Sequence, residues 1–136
     1  MMDPDQIPDV ADNELLARFI LNSNEKRADG TVTPRLFMPY KWVELSVNRH
    51  REATYEETWS IGLHVATERN KTLIGLANVR ASKCRIGELN VVPRPLLPSN
   101  PNHADIVGFP SAKEDQMALA AVLAASIEGN WIPAPL

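Results

Sequence analysis

Three histidines, one cysteine and 17 carboxylates are the groups through which this 136-residue chain could do acid–base, nucleophilic or metal chemistry. His103-Ala104-Asp105 is its tight histidine–carboxylate pair. In an extended chain, residues two apart share a face at roughly 7 Å between Cα atoms. That spacing suits a metal ion, or a carboxylate orienting a histidine that acts as a base. The alternative is that His103 closes a loop through backbone hydrogen bonds while Asp105 is solvated. Ser46 and His50 share a strand face too, but four residues of strand span about 13 Å, which excludes a dyad. Cys84 stands between Lys83 and Arg85, a positive setting that favours a thiolate. A half-buried, inert thiol is nevertheless the expected state. His64 falls in the middle of a helical segment as a boundary residue. Glu56 and Glu57 are explained by helix capping and the helix dipole.

Arg49-His50-Arg51 lies just ahead of a helix N-terminus. Such a place attracts anions, and two arginines add donors for a phosphate-bearing ligand at 49–54. The competing reading pairs the arginines with Glu52, Glu56 or Glu57 on the surface. Trp131-Ile132-Pro133-Ala134-Pro135-Leu136 is an apolar, proline-bearing end that either folds back on the core or docks on a partner. Trp42, near Pro39-Tyr40, is likewise a core or a contact residue. Two zinc ligands at structural spacing do not occur, and no Gly-rich loop cradles a phosphate. No metal and no cofactor is therefore assigned.

Composition narrows the partners. Fourteen basic and 17 acidic residues leave a net charge of −3, which disfavours non-specific nucleic-acid binding. A lone cysteine cannot form an internal disulfide, in keeping with a reducing compartment. The start of the chain is acidic rather than signal-like, and no apolar run reaches the roughly 18 residues of a membrane span. The expectation is a cytoplasmic protein with a protein partner or a homo-oligomeric state, away from membranes.

The elements that must position these groups follow from pattern. Residues 1–12 read as a flexible leader, 13–129 as a single globular domain and 130–136 as the apolar tail. Leu15 to Leu21 is ambiguous by periodicity: Leu15, Leu16, Phe19 and Ile20 suit a short helix, and a buried strand is the alternative. Val43, Leu45 and Val47 alternate with polar residues as a half-buried strand, and Leu36-Phe37-Met38 reads as a separate short strand beyond Pro39. Thr54 and Glu57 form a capping box opening a helix at about 54–69, with Trp59, Gly62, Leu63 and Ala66 on its apolar face. Lys71 to Val79 is a strand, Ala81 to Ile86 one helical turn stopped by Gly87, and Leu89 to Val92 a strand. Prolines 93, 95, 98 and 101 stiffen an extended connection. His103 to Phe109 is strand-like. Ser111 and Glu114 form a second capping box for a helix at about 112–128, stopped by Gly129. Together these predict an α/β or α+β single domain. Its mixed sheet would have about four to five strands, packed by the two main helices.

Four stretches carry a resemblance: Leu16-Ala17-Arg18-Phe19-Ile20-Leu21, Leu45-Ser46-Val47-Asn48-Arg49-His50, Trp59-Ser60-Ile61-Gly62, and Asn100-Pro101-Asn102-His103-Ala104-Asp105-Ile106-Val107-Gly108. In this order, over residues 14–126, the chain resembles a group of small, functionally uncharacterised bacterial proteins. The resemblance implies a bacterial, intracellular protein and transfers no catalytic residue. The leading expectation is a non-catalytic accessory or interaction domain of a protein assembly, with 93–103 and the C-terminus presented to a partner. The others are a small hydrolase or nuclease around His103, Asp105, Arg49 and His50, and a sensor of a phosphate-bearing ligand at 49–54.

Overall fold

The computed structural model describes residues 7–39 and 43–135. Trp42 and Leu136 lie outside the described residues. One sheet of six strands forms the body: β1 (Leu15–Ile20), β2 (Leu45–Arg49), β3 (Gly75–Arg80), β4 (Asn90–Pro93), β5 (His103–Val107) and β6 (Ile132–Pro133). Their order across the sheet is β4-β5-β2-β1-β3-β6, and every pairing is antiparallel. Three helices accompany it: α1 (Tyr55–Glu68), α2 (Ala81–Ile86) and α3 (Lys113–Ala125). The molecule is thus an α+β protein. No helix among the described residues is long and apolar enough to cross a membrane.

The sheet differs from expectation in strand count and in direction. Leu15–Ile20 is a strand, because its alternation lets Leu16 and Ile20 enter the main core while Ala17 and Phe19 face α1. Leu36 and Phe37 belong instead to a 3-10 turn at Pro34–Phe37, where proline at the first position presets the turn. β2 and β3 run parallel to each other, but β1 lies between them, so no parallel ladder forms.

Chain ends are part of the body. Val10 is buried in the main core, and Asp12 pairs with Arg85 at 2.6 Å, so the stretch read as a flexible leader is tied down from Pro8 onward. At the other end Ile132 pairs with Leu76 as an edge strand. The Trp131 indole donates to the Arg27 carbonyl at 2.9 Å, with the Lys26 ammonium 5.3 Å from its ring. Trp131, Ile132 and Pro133 therefore serve the fold directly.

Thr54 caps α1 as expected: its hydroxyl accepts the Glu57 N–H at 3.1 Å, and the Glu57 carboxylate accepts the Thr54 N–H. The second capping box does not form. Ala112 is the cap of α3, Ser111 lies one residue early, and the helix ends at Ser126 rather than Gly129. Just beyond, the Glu128 N–H is drawn to the Asn78 carbonyl of β3 at 2.8 Å. The buried stripe of α1 is also rotated, to Thr58, Gly62 and Ala66, leaving Leu63 61% exposed. The cause is a close approach at Gly62. A Cβ there would stand 2.7 Å from the Phe19 ring, so only glycine admits the helix this near to β1. Gly62→Ala should lower stability by about 1–2 kcal/mol in urea denaturation, although alanine is the better helix former by about 1 kcal/mol. An unchanged midpoint would show that Phe19 swings aside freely.

Candidate functional site

Alternation along β2 sends Leu45, Val47 and Arg49 to one face of the sheet and Ser46 and Asn48 to the other. Register then sets Ser46 beside Asp105 and Asn48 beside His103. On this second face α1 covers the apolar patch of Ala17, Phe19 and Leu76 with Trp59 and Ile61. The neighbouring strands β2 and β5 carry polar groups instead. The proline connection is anchored to them by a reciprocal amide pair, Asn48 to Asn100, with both bonds at 3.0 Å.

His103 and Asp105 do share this face, as their spacing predicts, but their hydrogen bonds lead elsewhere. Asp105 accepts Ser46 Oγ at 3.3 Å and Arg94 Nη1 at 3.0 Å, and Arg94 is also paired with Glu44. His103 donates Nδ1–H to the Arg94 carbonyl at 3.0 Å, while its Nε2 stands 3.9 Å from Asp105 Oδ1, beyond hydrogen-bond reach. Ser46 is therefore directed at the Asp105 carboxylate rather than at an imidazole, and Asp105 does not orient the His103 ring. Among the described residues no three His, Cys, Asp or Glu side chains group closely enough to hold a metal ion.

His50 lies two residues past the Asn48–His103 pair, roughly 8 Å from His103 between Cα atoms. The two rings turn apart. His50 Nε2 contacts Asn78 Oδ1 on β3 at 2.7 Å, and its ring lies 5.1 Å from that of Tyr55. The Asn78 amide donates to the Tyr55 hydroxyl at 3.1 Å, which makes His50 Nε2 the donor in that contact.

The arginines of the 49–51 stretch separate by depth. Arg49 is 1% exposed, and its guanidinium meets Glu14 at 2.7 and 2.8 Å. The Pro8 and Asp9 carbonyls take further donors. This group is committed inside the chain. Arg51 lines a cleft of about 320 Å³ between the start of α1 and the proline connection, alongside Asn100, Asn102 and Ser60. The Asn102 amide donates to the Arg51 carbonyl at 2.6 Å. His64 is exposed and pairs with Glu68 at 3.0 Å.

Two residues beside this face escape sequence reasoning. β1 and β2 pair only at Leu16–Arg49 and Ala17–Asn48, then splay. Arg18 reaches into the gap, donating Nε to the Leu36 carbonyl and Nη1 to the Ser46 carbonyl, both at 2.9 Å. Burial pulls its pKa down to about 10, with the Arg69 charge adding in the same direction against Glu25. It stays protonated at neutral pH. Arg18 and Arg69 line the same two adjoining hollows, of about 290 and 700 Å³. The available signal was one charge inside the apolar run Leu15–Leu21; nothing marked Arg69.

Comparison with protein families, with curated proteins and with solved structures finds no match to this chain.

Burial raises the Glu14 carboxyl, but hydrogen bonds from Arg49 and Ala11 and the charges of Arg49 and Arg51 outweigh it and hold the pKa below 4.5. A depressed folded pKa stabilises at neutral pH, and that stability is lost as pH falls through 4.5 and then the folded value. Glu14→Gln, which strands the buried Arg49 charge, should cost about 3 kcal/mol at pH 7 and flatten the acid limb of a urea stability-versus-pH series. Equal acid limbs would show that other carboxylates dominate. Cys84 is fully buried, and burial pushes its thiol up to about 12 despite Arg85. It should resist a disulfide-exchange reagent at pH 8 in the native protein and react at once in denaturant.

Proposed function

We propose that this protein acts by binding, as a non-catalytic interaction domain of a bacterial, cytoplasmic protein assembly. The observation that carries the reading is the outward face of α3. That helix has no charged residue from Gln116 to its end, and it packs on the body through Ala120, Leu123 and Ala124. Its other side exposes Met117, Ala118, Ala121, Val122 and Ala125, with Met117 40% and Val122 51% accessible. A helix that is apolar all round is ordinarily buried all round, because its outer side otherwise leaves nonpolar surface in water. A protein partner, or a second copy of this chain, would supply the missing cover.

The competing readings have less support. A Ser/His hydrolase needs the nucleophile hydrogen-bonded to the histidine, and Ser46 donates to Asp105 instead, with no Ser46–His103 hydrogen bond among the described residues. A phosphate sensor at 49–54 needs free donors on Arg49, and these are taken by Glu14 and the Pro8 and Asp9 carbonyls.

The test compares the tagged chain with Ala118→Glu and Val122→Glu variants, by recovery from host lysate and by sedimentation. Both sites are exposed, so the variants should keep wild-type stability within about 0.5 kcal/mol. A stoichiometric partner, or a self-associated species, should be present with the wild-type chain and lost in the variants. The same behaviour from all three proteins would overturn the assignment of α3 as the contact face.

A further inference from the structure

We infer that the hollow bounded by Arg18 and Arg69 binds a small amphipathic organic anion, its carboxylate or phosphate head on the two guanidinium groups and its apolar body along Leu21, Val65 and Leu96. This site uses no residue of α3 and stands apart from the interaction reading above.

Charge is the first support. Two guanidinium groups line one hollow, and among the described residues neither has a carboxylate within ion-pair distance. Arg18 is half-buried and Arg69 is exposed at the rim, and an anion seated between them would offset the repulsion of the two like charges. The surrounding carboxylates are already engaged. Glu25 accepts the Leu21 and Asn22 N–H groups, Glu68 pairs with His64, and Glu44 and Asp105 are both paired with Arg94. Glu25 and Glu68 line the hollow too, but neither reaches ion-pair distance of Arg18 or Arg69, so among the described residues both guanidinium groups lack a directly paired oxygen anion.

Geometry is the second support. Arg18 spends Nε and Nη1 on the Leu36 and Ser46 carbonyls, which locks the plane of its guanidinium. Its Nη2 makes no hydrogen bond among the described residues, where no buried side-chain nitrogen is left unpartnered. Nη2 therefore opens to the hollow. A held guanidinium with one free edge favours the planar, multidentate oxygens of a carboxylate or phosphate. The walls decide the rest of the ligand: Leu21 and Val65 are half-buried, and Leu96 is 53% exposed over the same space. About 290 Å³ is at the small end of ligand sites, enough for a short-chain anion.

Isothermal titration calorimetry of the full chain tests this with four probes: octanoate, octyl phosphate, acetate and octylamine. Octanoate, octyl phosphate or both should bind at least about tenfold tighter than acetate and octylamine, and the better of the two identifies the head group. Arg69→Ala should weaken that binding about tenfold with an unchanged thermal melt, because the Arg69 side chain has no partner in the fold, and Arg69→Lys should recover part of it. Octylamine or acetate binding as well as the octyl anions would overturn the proposal. So would wild-type affinity in Arg69→Ala, or no binding of either octyl anion.

Discussion

The sheet is held together across a seam of only two residue pairs, and two arginines secure it. β4, β5 and β2 form one half and β1, β3 and β6 the other, joined where Leu16 meets Arg49 and Ala17 meets Asn48. At one end of the seam Arg49 is buried against Glu14 and the Pro8 and Asp9 carbonyls, clamping the start of β1 and the chain before it to β2. At the other end Arg18 bridges the opening through the Ser46 carbonyl, in place of the ladder bonds that the splayed strands do not make. Buried charges are tolerated only when paired or well hydrogen-bonded. Arg49 meets that condition fully and Arg18 only through neutral carbonyls. This difference separates a structural clamp from a group with binding capacity to spare.

The splay also shapes the surface. α1 seats tightly at Gly62 over Phe19, covers β1 and β3, and leaves β2 and β5 to the proline connection. Because strand alternation brings Ser46, Asn48, His103 and Asp105 to that face, it is polar: Ser46 pairs with Asp105, while Asn48 and His103 bond to Asn100 and the Arg94 carbonyl of the proline connection. Ser46 and Asp105 are bonded to each other, and neither is hydrogen-bonded to His103. Arg18 and Arg69, which have no carboxylate partner among the described residues, lie at the margin of this face, where the strands part and α1 ends.

Legibility in the sequence followed the range of the interaction. The α1 capping box closes over three residues and forms as read. The similar spacing at Ser111 and Glu114 does not cap α3, because the helix begins at Lys113 and places Ala112, which has no capping side chain, at the cap position. Leu15–Leu21 was ambiguous for a physical reason: its apolar residues satisfy both periods, and pairing with β3 over six residues chooses the strand. Spacing alone places Leu63 on the apolar face of α1, but the close approach of Gly62 to Phe19, on a different element, turns the helix away from it.

By itself the sequence determined the helix and strand segments with strong local signals, the shared face of His103 and Asp105, the absence of a phosphate loop, and a charge balance unlike that of a duplex-binding protein. Those properties depend on residues a few positions apart or on composition. The tertiary structure alone decided that Arg49 is a buried clamp, that Asp105 serves Ser46 and Arg94, that the tail is an edge strand, and that Arg18 and Arg69 meet at one hollow. Arg49 and Glu14 are 35 residues apart, and Ser46 and Asp105 are 59 apart. A side chain's availability depends on who hydrogen-bonds it, and partners this distant are chosen by strand order and register, which no local pattern encodes.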